Sequence, residues 1–289
     1  MSVWVVGSLH LDVIVEAPRL PRLDETLVGQ GVSYRLGGKG GNQAVAAARM
    51  GAEVAMAGAV GSDAFAETLL AELDRAGVDR AGVARLPGAS GMSVAILDAT
   101  GGYGAVIVSA ANLVVAGTGG VPPGTSHLLL QNEIPEAANL AAAGGAVILN
   151  AAPARPLPPE LLALTDLLVV NRLEAADLTG LTEDAYKAAA LALLARGPGH
   201  VVVTLGAQGL HARSSDDALD LPAPRVTALS SHGAGDAFTG ALAARLDTGE
   251  ALEAALRFAQ GAAALHVSTP PDARAGIGPG DVEALLGSA

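Results

Sequence analysis

Two glycine-rich segments carry the residue types that could do chemistry in this sequence. The first, Leu36–Gln43, surrounds Lys39 with glycines and leads into an alanine-rich stretch that ends near Met50. Glycines let a backbone approach a ligand closely, and a helix that begins near Asn42 directs its free N–H groups at that ligand. The segment predicts a ligand-binding loop, although a tight turn with a solvated lysine explains the same residues.

The second segment, Gly233–Phe238, opens a predicted helix over 234–247. Glycines at a helix start expose backbone N–H donors, and the helix dipole adds positive potential there. Such a site suits the negative charge that develops on a phosphoryl group during transfer. Asp236 lies in the first turn, where it could accept a proton from an attacking alcohol or could simply cap the helix.

Two common nucleotide-binding fingerprints are absent. A Walker A loop needs Ser or Thr after its Gly-Lys pair, and here Gly40 follows Lys39. A nicotinamide-binding fingerprint needs several glycines after the first strand, and the segment Gly7–His10 has one. A nicotinamide-dependent dehydrogenase is therefore disfavoured.

Composition excludes other classes of function. The formal net charge is -12 and only 2% of residues are aromatic, which disfavours nucleic-acid binding. There is no cysteine, so disulfides and thiolate metal sites are excluded. No apolar run is long enough to span a membrane, and no signal peptide is evident. We expect a cytoplasmic protein with no nucleic-acid or membrane partner.

Short apolar runs of strand length alternate with helical stretches along the chain. Continuous apolar runs suit parallel strands that are covered on both faces, so we expect one α/β domain over 1–289 with a doubly wound, mostly parallel sheet. The predicted strands are Val3–Val6, Val54–Ala59, Leu128–Gln131, Ala146–Leu149, Leu167–Val170 and His200–Thr204. The predicted helices are 63–76 (capped by Ser62), 183–196, 234–247, 250–266 and 280–287.

Two regions depart from this alternation. Residues 11–36 and 91–109 show strand and turn signals with little helix, and Thr100–Gly102 is a hairpin signal. We expect these regions to form a small antiparallel flap of β-strands that leaves the main sheet, returns to it and covers the active site as a lid.

The two glycine-rich segments together resemble the signature motifs of the ribokinase-like (PfkB) carbohydrate kinases. The first resembles Gly-Gly-Lys-Gly-Ala-Asn-Gln-Ala, with Gly41 in place of the alanine. The second resembles Asp-Thr-Thr-Gly-Ala-Gly-Asp-Ala-Phe. Their order and wide separation also fit, and the resemblance extends over nearly the whole chain.

The resemblance implies a mostly parallel sheet with helices on both faces, a β-sheet lid that often pairs with a second subunit's lid, and a defined reaction. That reaction transfers the γ-phosphoryl group of ATP to the primary hydroxyl of a sugar. By resemblance, Asp236 is the catalytic base, and the N–H groups of Gly233, Ala234 and Gly235 form an anion hole. The implied sugar-binding residues are Asp12, Gly38, Lys39, Asn42 and Glu133.

The resemblance extends to a nucleotide side. Asn171 would lie near the phosphates of ATP, and Glu174 would help to position Mg²⁺ through water. Gln260 occupies a position near the adenine, although a structural glutamine fits there equally well. A nucleotide-cradling turn would include Thr204, Gly206 and Gly209.

Three residues depart from the family's pattern. Ser230 replaces an aspartate that belongs to a monovalent-cation site in many members, which puts activation by K⁺ in doubt. His232 replaces a threonine, and His10 replaces an asparagine close to Asp12. The alternatives to a ribose-like acceptor are another sugar, a sugar acid or a nucleoside. A catalytically inactive sugar- or nucleotide-binding regulator is the alternative of a different class, and the retained Asp236 argues against it.

Overall fold

The computed structural model describes residues 3–98, 103–116 and 121–287. The strands are β1 (Val3–Val6), β2 (His10–Ala17), β3 (Gly31–Gly37), β4 (Val54–Val60), β5 (Asp79–Arg85), β6 (Gly91–Asp98), β7 (Tyr103–Val108), β8 (His127–Gln131), β9 (Ala146–Asn150), β10 (Leu167–Asn171), β11 (His200–Thr204), β12 (Leu210–Arg213) and β13 (Ala218–Leu221). The helices are α1 (Lys39–Arg49), α2 (Ala64–Arg75), α3 (Glu136–Ala142), α4 (Pro159–Ala163), α5 (Arg172–Thr179), α6 (Tyr186–Leu194), α7 (Ala234–Asp247), α8 (Leu252–Ser268) and α9 (Pro279–Gly287).

The large sheet has nine strands within the described residues, in the order β13-β12-β11-β10-β9-β8-β1-β4-β5. All neighbouring strands from β11 across the sheet to β5 run parallel to each other, in the order β11, β10, β9, β8, β1, β4 and β5. Strand β12 pairs antiparallel with both of its neighbours. The predicted fold class, a mostly parallel sheet with helices on both faces, is confirmed. The antiparallel edge was not predicted.

Side chains of the central strands alternate between two apolar layers because successive residues point to opposite faces. On one face Val3 and Val5 pack in a cluster that includes residues of α1, α2, α7 and α8. On the other face Trp4 and Val6 pack in a cluster with residues of α3, α4, α5 and α6. Helices on both faces explain why the strands are continuously apolar.

A second, smaller sheet has the order β3-β2-β6-β7. It starts where β1 ends, because only residues 7–9 separate β1 from β2. Strand β2 pairs antiparallel with β3, and β6 pairs antiparallel with β7, as predicted. The prediction of a fully antiparallel flap is wrong, because β2 pairs parallel with β6, which joins the two hairpins. The predicted turn Thr100–Gly102 lies outside the described residues. We call this four-stranded sheet the lid sheet.

Two predicted helix starts are wrong. Helix α2 is capped by Asp63, whose Oδ1 accepts from the Ala66 N–H at 3.0 Å, and not by Ser62. Helix α1 begins at Lys39 rather than near Asn42, because Gly38 adopts a φ of 82° and turns the chain into the helix directly after the glycine pair. Lys39 is therefore the first helical residue of α1.

The sequence also missed the short helices α3 and α4, which have too few turns to show a clear apolar period. The pattern Asn171–Glu174 is also typical of a helix start, and α5 begins there. The predicted helix 183–196 begins with a 3₁₀ turn over Glu183–Ala185 before α6. No helix among the described residues is long and apolar enough to cross a membrane.

Candidate active site

The first turns of α1 and α7 meet at the carboxylate of Asp236. The Nδ2 of Asn42 lies 3.3 Å from Asp236 Oδ2, and the Nε2 of Gln43 lies 3.0 Å from Asp236 Oδ1. Asp236 is only 7% exposed. The structure thus brings the glycine-rich segment Leu36–Gln43, which we call the lysine–glycine loop, and the helix start at Gly233 into one site.

A close approach of the two helices makes this contact possible. A Cβ atom on Gly240 of α7 would lie 2.6 Å from the Ala46 Cβ and 2.6 Å from the Gln43 carbonyl oxygen. Since real Cβ atoms do not come so close, only glycine allows α7 to lie this near to α1. Gly240 therefore helps to set the distance between Asp236 and the amides of α1.

A buried network of side-chain amides holds Gln43 in position next to the Asp236 carboxylate. Gln43 Nε2 also donates to Asn150 Oδ1 at 3.0 Å, and Gln131 Nε2 donates to Gln43 Oε1 at 2.9 Å. These amides orient Gln43 toward Asp236. The sequence analysis missed this role, and the signal that was available is the position of Gln43 directly after Asn42 in the first motif.

Opposite effects act on the ionisation of the site. Burial raises the pKa of Asp236, and the charge of Lys39 and the hydrogen bond from Gln43 oppose that rise. Burial by itself would lower the pKa of Lys39, but the carboxylates of Asp236, Glu133 and Glu174 outweigh burial and raise it. The lysine stays charged, and the carboxylate is easier to protonate than an exposed one.

Two clefts open on either side of Asp236. The first has a volume of about 280 Å³ and is lined by Asp12 and Arg35 of the lid sheet, by Asn42, and by His232. The Nε2 of His232 lies 3.7 Å from Asp12 Oδ2 across this cleft, and the nearby carboxylate of Asp12 raises the pKa of His232. We call this space the acceptor cleft.

The second cleft has a volume of about 260 Å³. Among the described residues, the two clefts have only the wall formed by His232, Gly233 and Asp236 in common. We call the second cleft the phosphate cleft. Lys39 lies on its wall and not among the residues that line the acceptor cleft, although the sequence analysis grouped Lys39 with the sugar-binding residues. The predicted nucleotide-side residues that line it are Asn171, Glu174 and Thr204.

The start of α7 forms the floor between the clefts. Gly233 caps the helix with a φ of 78°, and Ala234 and Gly235 follow in its first turn. The N–H groups of a first helical turn lack intrahelical partners, and here the Ala234 N–H points at the Ser231 carbonyl at 3.3 Å. The floor therefore presents positive potential next to Asp236.

Glu133 lies behind the lysine–glycine loop rather than on a cleft wall. Its Oε2 accepts from the Ser8 hydroxyl at 2.5 Å and from the Lys39 N–H at 2.8 Å. The buried His10 ring places its Nδ1 3.8 Å from the same oxygen, and burial lowers the pKa of His10. Glu133 thus fixes the start of α1 against the end of β1.

The end of β1 and the start of α1 are in backbone contact at two glycines. A Cβ on Gly7 would lie 2.7 Å from the Gly40 Cα, and a Cβ on Gly40 would lie 2.6 Å from the Gly7 carbonyl carbon. Gly38 is similarly confined, since a Cβ there would lie 2.9 Å from the His10 nitrogen. These contacts hold the lysine–glycine loop against the root of the lid sheet.

Asn171 and Glu174 form a reciprocal capping box at the start of α5. Asn171 Oδ1 accepts from the Glu174 N–H, and Glu174 Oε2 accepts from the Asn171 N–H, both at 2.8 Å. Burial raises the pKa of Glu174. The pair is thus a structural helix cap as well as part of the phosphate cleft.

Three predicted nucleotide-side residues lie outside both sets of cleft-lining residues. Gln260 is buried, and its Nε2 donates to the Leu221 carbonyl at 3.3 Å. Gly209 packs so tightly that an added Cβ would overlap the same carbonyl oxygen. Gly206 adopts a φ of 60° in the turn before β12. Among the described residues, no group of three or more His, Asp or Glu side chains is placed to hold a metal ion.

Comparison with known proteins identifies the relatives of this chain. The family described as pfkB family carbohydrate kinase matches residues 1–274. The ribokinase of Haemophilus influenzae is 34% identical over 283 residues, which cover 92% of each chain. The deoxyribokinase of Salmonella typhi is 32% identical over 289 residues, which cover 93% of each chain. The structure of Arabidopsis thaliana ribokinase complexed with ribose and ATP is 30% identical, with a TM-score of 0.90 over 99% of this chain and 98% of that one.

Proposed function

The chain belongs to the pfkB family of carbohydrate kinases, and we propose that it transfers the γ-phosphoryl group of ATP to the primary hydroxyl of a ribose-like sugar. It is a ribokinase-like sugar kinase, a phosphotransferase with an alcohol acceptor. The observation that carries the proposal is the position of Asp236, whose carboxylate lies on the wall shared by the two clefts at the start of α7.

Asp236 is the proposed general base. The primary hydroxyl of the sugar gives its proton to Asp236, its oxygen bonds to the γ-phosphorus, and the bond from that phosphorus to the ADP oxygen breaks. Asn42 and Gln43 orient the carboxylate through hydrogen bonds at 3.3 and 3.0 Å. Since phosphoryl transfer needs mainly alignment and charge stabilisation, one base at the junction of two clefts is sufficient.

The acceptor cleft would hold the sugar. Asp12 and Asn42 line it and can bond to sugar hydroxyls, since carboxylates accept and amides both donate and accept. Gly38 and Glu133 act indirectly in this proposal, because they fix the start of α1 next to the cleft. The lid sheet supplies Asp12, so closure of that sheet would both complete the sugar site and exclude water.

The phosphate cleft would hold the triphosphate of ATP. Lys39 and the first-turn N–H groups of Gly233 and Gly235 would neutralise the charge on the transferring phosphoryl group. The Ala234 N–H would join them by leaving the Ser231 carbonyl, to which it donates at 3.3 Å. Asn171 and Thr204 line the cleft as polar partners, whereas Gln260, Gly206 and Gly209 would shape the nucleotide side from behind its wall.

The residues of the phosphate cleft fit a divalent cation that enters with the nucleotide. The half-buried carboxylate of Glu174 lies on its wall, and burial raises the pKa of this carboxylate. Mg²⁺ bound to the phosphates would favour the charged form of Glu174 and screen the phosphate oxygens, and Glu174 would hold the ion through water.

The lid sheet is the proposed dimer surface. Its strands expose apolar side chains that a single chain leaves in contact with water, and a second lid sheet would cover them. The exposed side chains on one face of this sheet are Val32, Tyr34, Val106 and Val108. Because the enzyme consumes ATP, we propose that it acts in the cytoplasm.

The test measures sugar-dependent consumption of ATP with ribose and deoxyribose. We expect Asp236→Asn to lower kcat by about 10² to 10⁴-fold while binding of sugar and ATP persists, because the variant keeps the shape of the site but cannot take a proton. Asp216→Asn, which replaces an exposed carboxylate, is the matched control. Unchanged turnover in Asp236→Asn would refute the assignment of the base. Sugar binding without turnover in the unmodified enzyme would support the regulator instead.

A further inference from the structure

The wall of the acceptor cleft carries more positive charge than a neutral sugar requires. Arg35 of β3, Arg49 of α1 and Arg274, which follows α8, all line this cleft, together with His232 and His266. The chain as a whole has 17 lysines and arginines against 29 aspartates and glutamates, so such a concentration is not expected from composition. A basic cluster in an acidic protein indicates a binding site for an anionic ligand, whose negative charge would balance that of the cluster.

The carboxylates of the cleft do not neutralise these arginines. Glu72 forms its ion pair with Arg75 at 2.5 Å. Asp12 faces His232 at 3.7 Å, and Asp236 is engaged by the amides of α1. Within the part of the chain that the structure describes, no ion pair joins Arg35, Arg49 or Arg274 to a carboxylate.

Arg274 keeps an unused hydrogen-bond donor in a buried place. Its Nε donates to the Thr269 carbonyl at 3.1 Å, and its Nη1 lies 3.1 Å from His266 Nε2. Its Nη2 is buried and has no partner among the described residues. A buried guanidinium nitrogen without an acceptor costs free energy, which an anionic ligand would recover.

The positively charged side chains of the cluster also repel one another. Burial and the charge of Arg35 lower the pKa of Arg274. Burial, followed by the charge of Arg274, lowers the pKa of His266 to about 4, so this ring is neutral near pH 7. Burial lowers the pKa of Arg49, and Glu72 only partly offsets it. The cluster is therefore electrostatically strained in the absence of an anion.

The cluster lies at a defined distance from the reacting end of the cleft. Arg49 follows Asn42 by two turns of α1, which places it on the same helix face and about 10 Å further along the axis. A ligand whose hydroxyl reaches Asp236 next to Asn42 therefore extends toward Arg49.

We propose that the acceptor of this kinase is a ribose-like sugar derivative with an anionic group, a carboxylate or a phosphate, at the end opposite to the hydroxyl that is phosphorylated. Arg49 and Arg274 bind the anionic group, and Arg35 adds charge from the lid sheet. This substrate class rests on the proposed function, since it uses the same cleft and the same base.

The first experiment compares acceptors with the unmodified enzyme and ATP. The acceptors are ribose, ribonate and ribose 1-phosphate, all of which keep the C5 hydroxyl free. We expect kcat/KM for at least one anionic acceptor to exceed that for ribose by about 10-fold or more, as a charge-assisted hydrogen bond provides. Ribose turnover that equals or exceeds both anionic acceptors would overturn the anionic class and leave the proposed function standing. Failure with every sugar acceptor would overturn both.

The second experiment tests the arginines themselves. We expect Arg49→Gln and Arg274→Gln each to reduce the ratio of kcat/KM for the anionic acceptor to that for ribose by about 10-fold. Arg257→Gln, which removes a surface arginine of α8 paired with Glu253, is the matched control. Equal losses for both acceptors would overturn the role of the cluster. Two variants are needed because Arg274 contacts His266, whose ring packs on Gly233.

A third experiment identifies the source of the anion. Thermal shifts are measured with ribonate, ribose or inorganic phosphate in the absence of ATP, and ribose turnover is measured with ATP in the presence and absence of added phosphate. We expect ribonate to raise Tm more than ribose does, and added NaCl to remove the difference. If added phosphate raises ribose turnover and neither anionic sugar is preferred, the cluster binds a free anion and the acceptor assignment is wrong.

Discussion

Lys39 and Asn42 lie three residues apart on α1 but face different clefts. Asn42 lines the acceptor cleft and lies 3.3 Å from Asp236, whereas Lys39 lines the phosphate cleft. One helical turn therefore contributes a side chain to each of the two clefts. The division could not be predicted from the sequence, because it depends on where the walls of the clefts lie around α1.

We expect substitutions of Lys39 and Asn42 to change different kinetic parameters. Asn42→Ala should raise the KM for the sugar by about 10-fold, because it removes a partner of a sugar hydroxyl. Lys39→Ala should mainly raise the KM for ATP and lower kcat by about 10²-fold or more, because it removes charge next to the transferring phosphoryl group. Steady-state kinetics with each substrate varied in turn distinguish the two. Lys187→Ala removes the chain's other lysine, whose partner is Asp220, and is the control. The reverse pattern would contradict the assignment of the clefts.

His266 gives a second prediction at the scale of single residues. Its folded-state pKa of about 4 lies below the ordinary value of 6.5 because of burial and Arg274. Between these values the unfolded chain binds a proton that the native state does not, so stability is complete above pH 6.5 and falls as the pH drops toward 4. We expect His266→Asn to reduce this loss by about 1–2 kcal/mol, a figure lowered for the partial exposure of the ring.

Urea unfolding of the His266 variant at pH 4.5 and pH 7 measures this effect. His200→Asn, which replaces an exposed histidine, is the control. An equal pH dependence in the unmodified protein and in His266→Asn would contradict the assignment.

Asp236 and Lys39 could be identified from sequence because they lie in glycine-rich motifs. Gln43, Asn150 and Arg274 could not be identified from their residue types. Their importance comes from burial and from partners that are distant in the chain, as in the contact of Gln43 with Asp236 at 3.0 Å. A buried polar network has no local pattern that a sequence reveals.

At the scale of elements, the contact of α1 with α7 controls the geometry of the base. Gly240→Ala would bring a Cβ to 2.6 Å from the Ala46 Cβ, so the helices must move apart. We expect a loss of about 1–3 kcal/mol in the free energy of unfolding, because overpacked cores lose stability on that scale. We also expect a lower kcat, because the amides of α1 then lie further from Asp236.

Gly280→Ala on α9 is the matched control for this helix contact, because an added Cβ there meets nothing within 4 Å. Unfolding curves and single-turnover rates are measured for both variants. A Gly240→Ala enzyme with unchanged stability and rate would show that the close packing of α1 and α7 does not position the base.

The regular elements were predicted best where burial is uniform. Strands β1 and β11 and helix α7 have the predicted limits, because continuous apolar runs or a clear capping glycine mark them. The last two strands of the large sheet, β12 and the edge strand β13, were missed, and partly exposed, polar residues such as Asp220 interrupt the apolar pattern of β13. Tertiary pairing, and not local preference, creates these strands.

At the scale of the whole molecule, the lid sheet decides the proposed oligomeric state. Val106 of β7 is 68% exposed, and Val106→Asp would place a charge in the proposed contact between two lid sheets. We expect the unmodified enzyme to sediment as a dimer and this variant as a monomer. Leu191→Asp changes an exposed leucine of α6 and should leave the dimer intact. A monomeric unmodified enzyme would contradict the proposal.

The backbone contact between Gly7 and Gly40 has a consequence for the coupling between the two proposed substrate sites. Because backbone contacts backbone there, no side-chain rotation lies between the end of β1 and the start of α1. In the proposed function, a sugar that draws the lid sheet inward would therefore shift the start of α1, where Lys39 lines the phosphate cleft. If bound sugar raises the affinity for nucleotide in this way, thermodynamic linkage requires bound nucleotide to raise the affinity for sugar by the same factor.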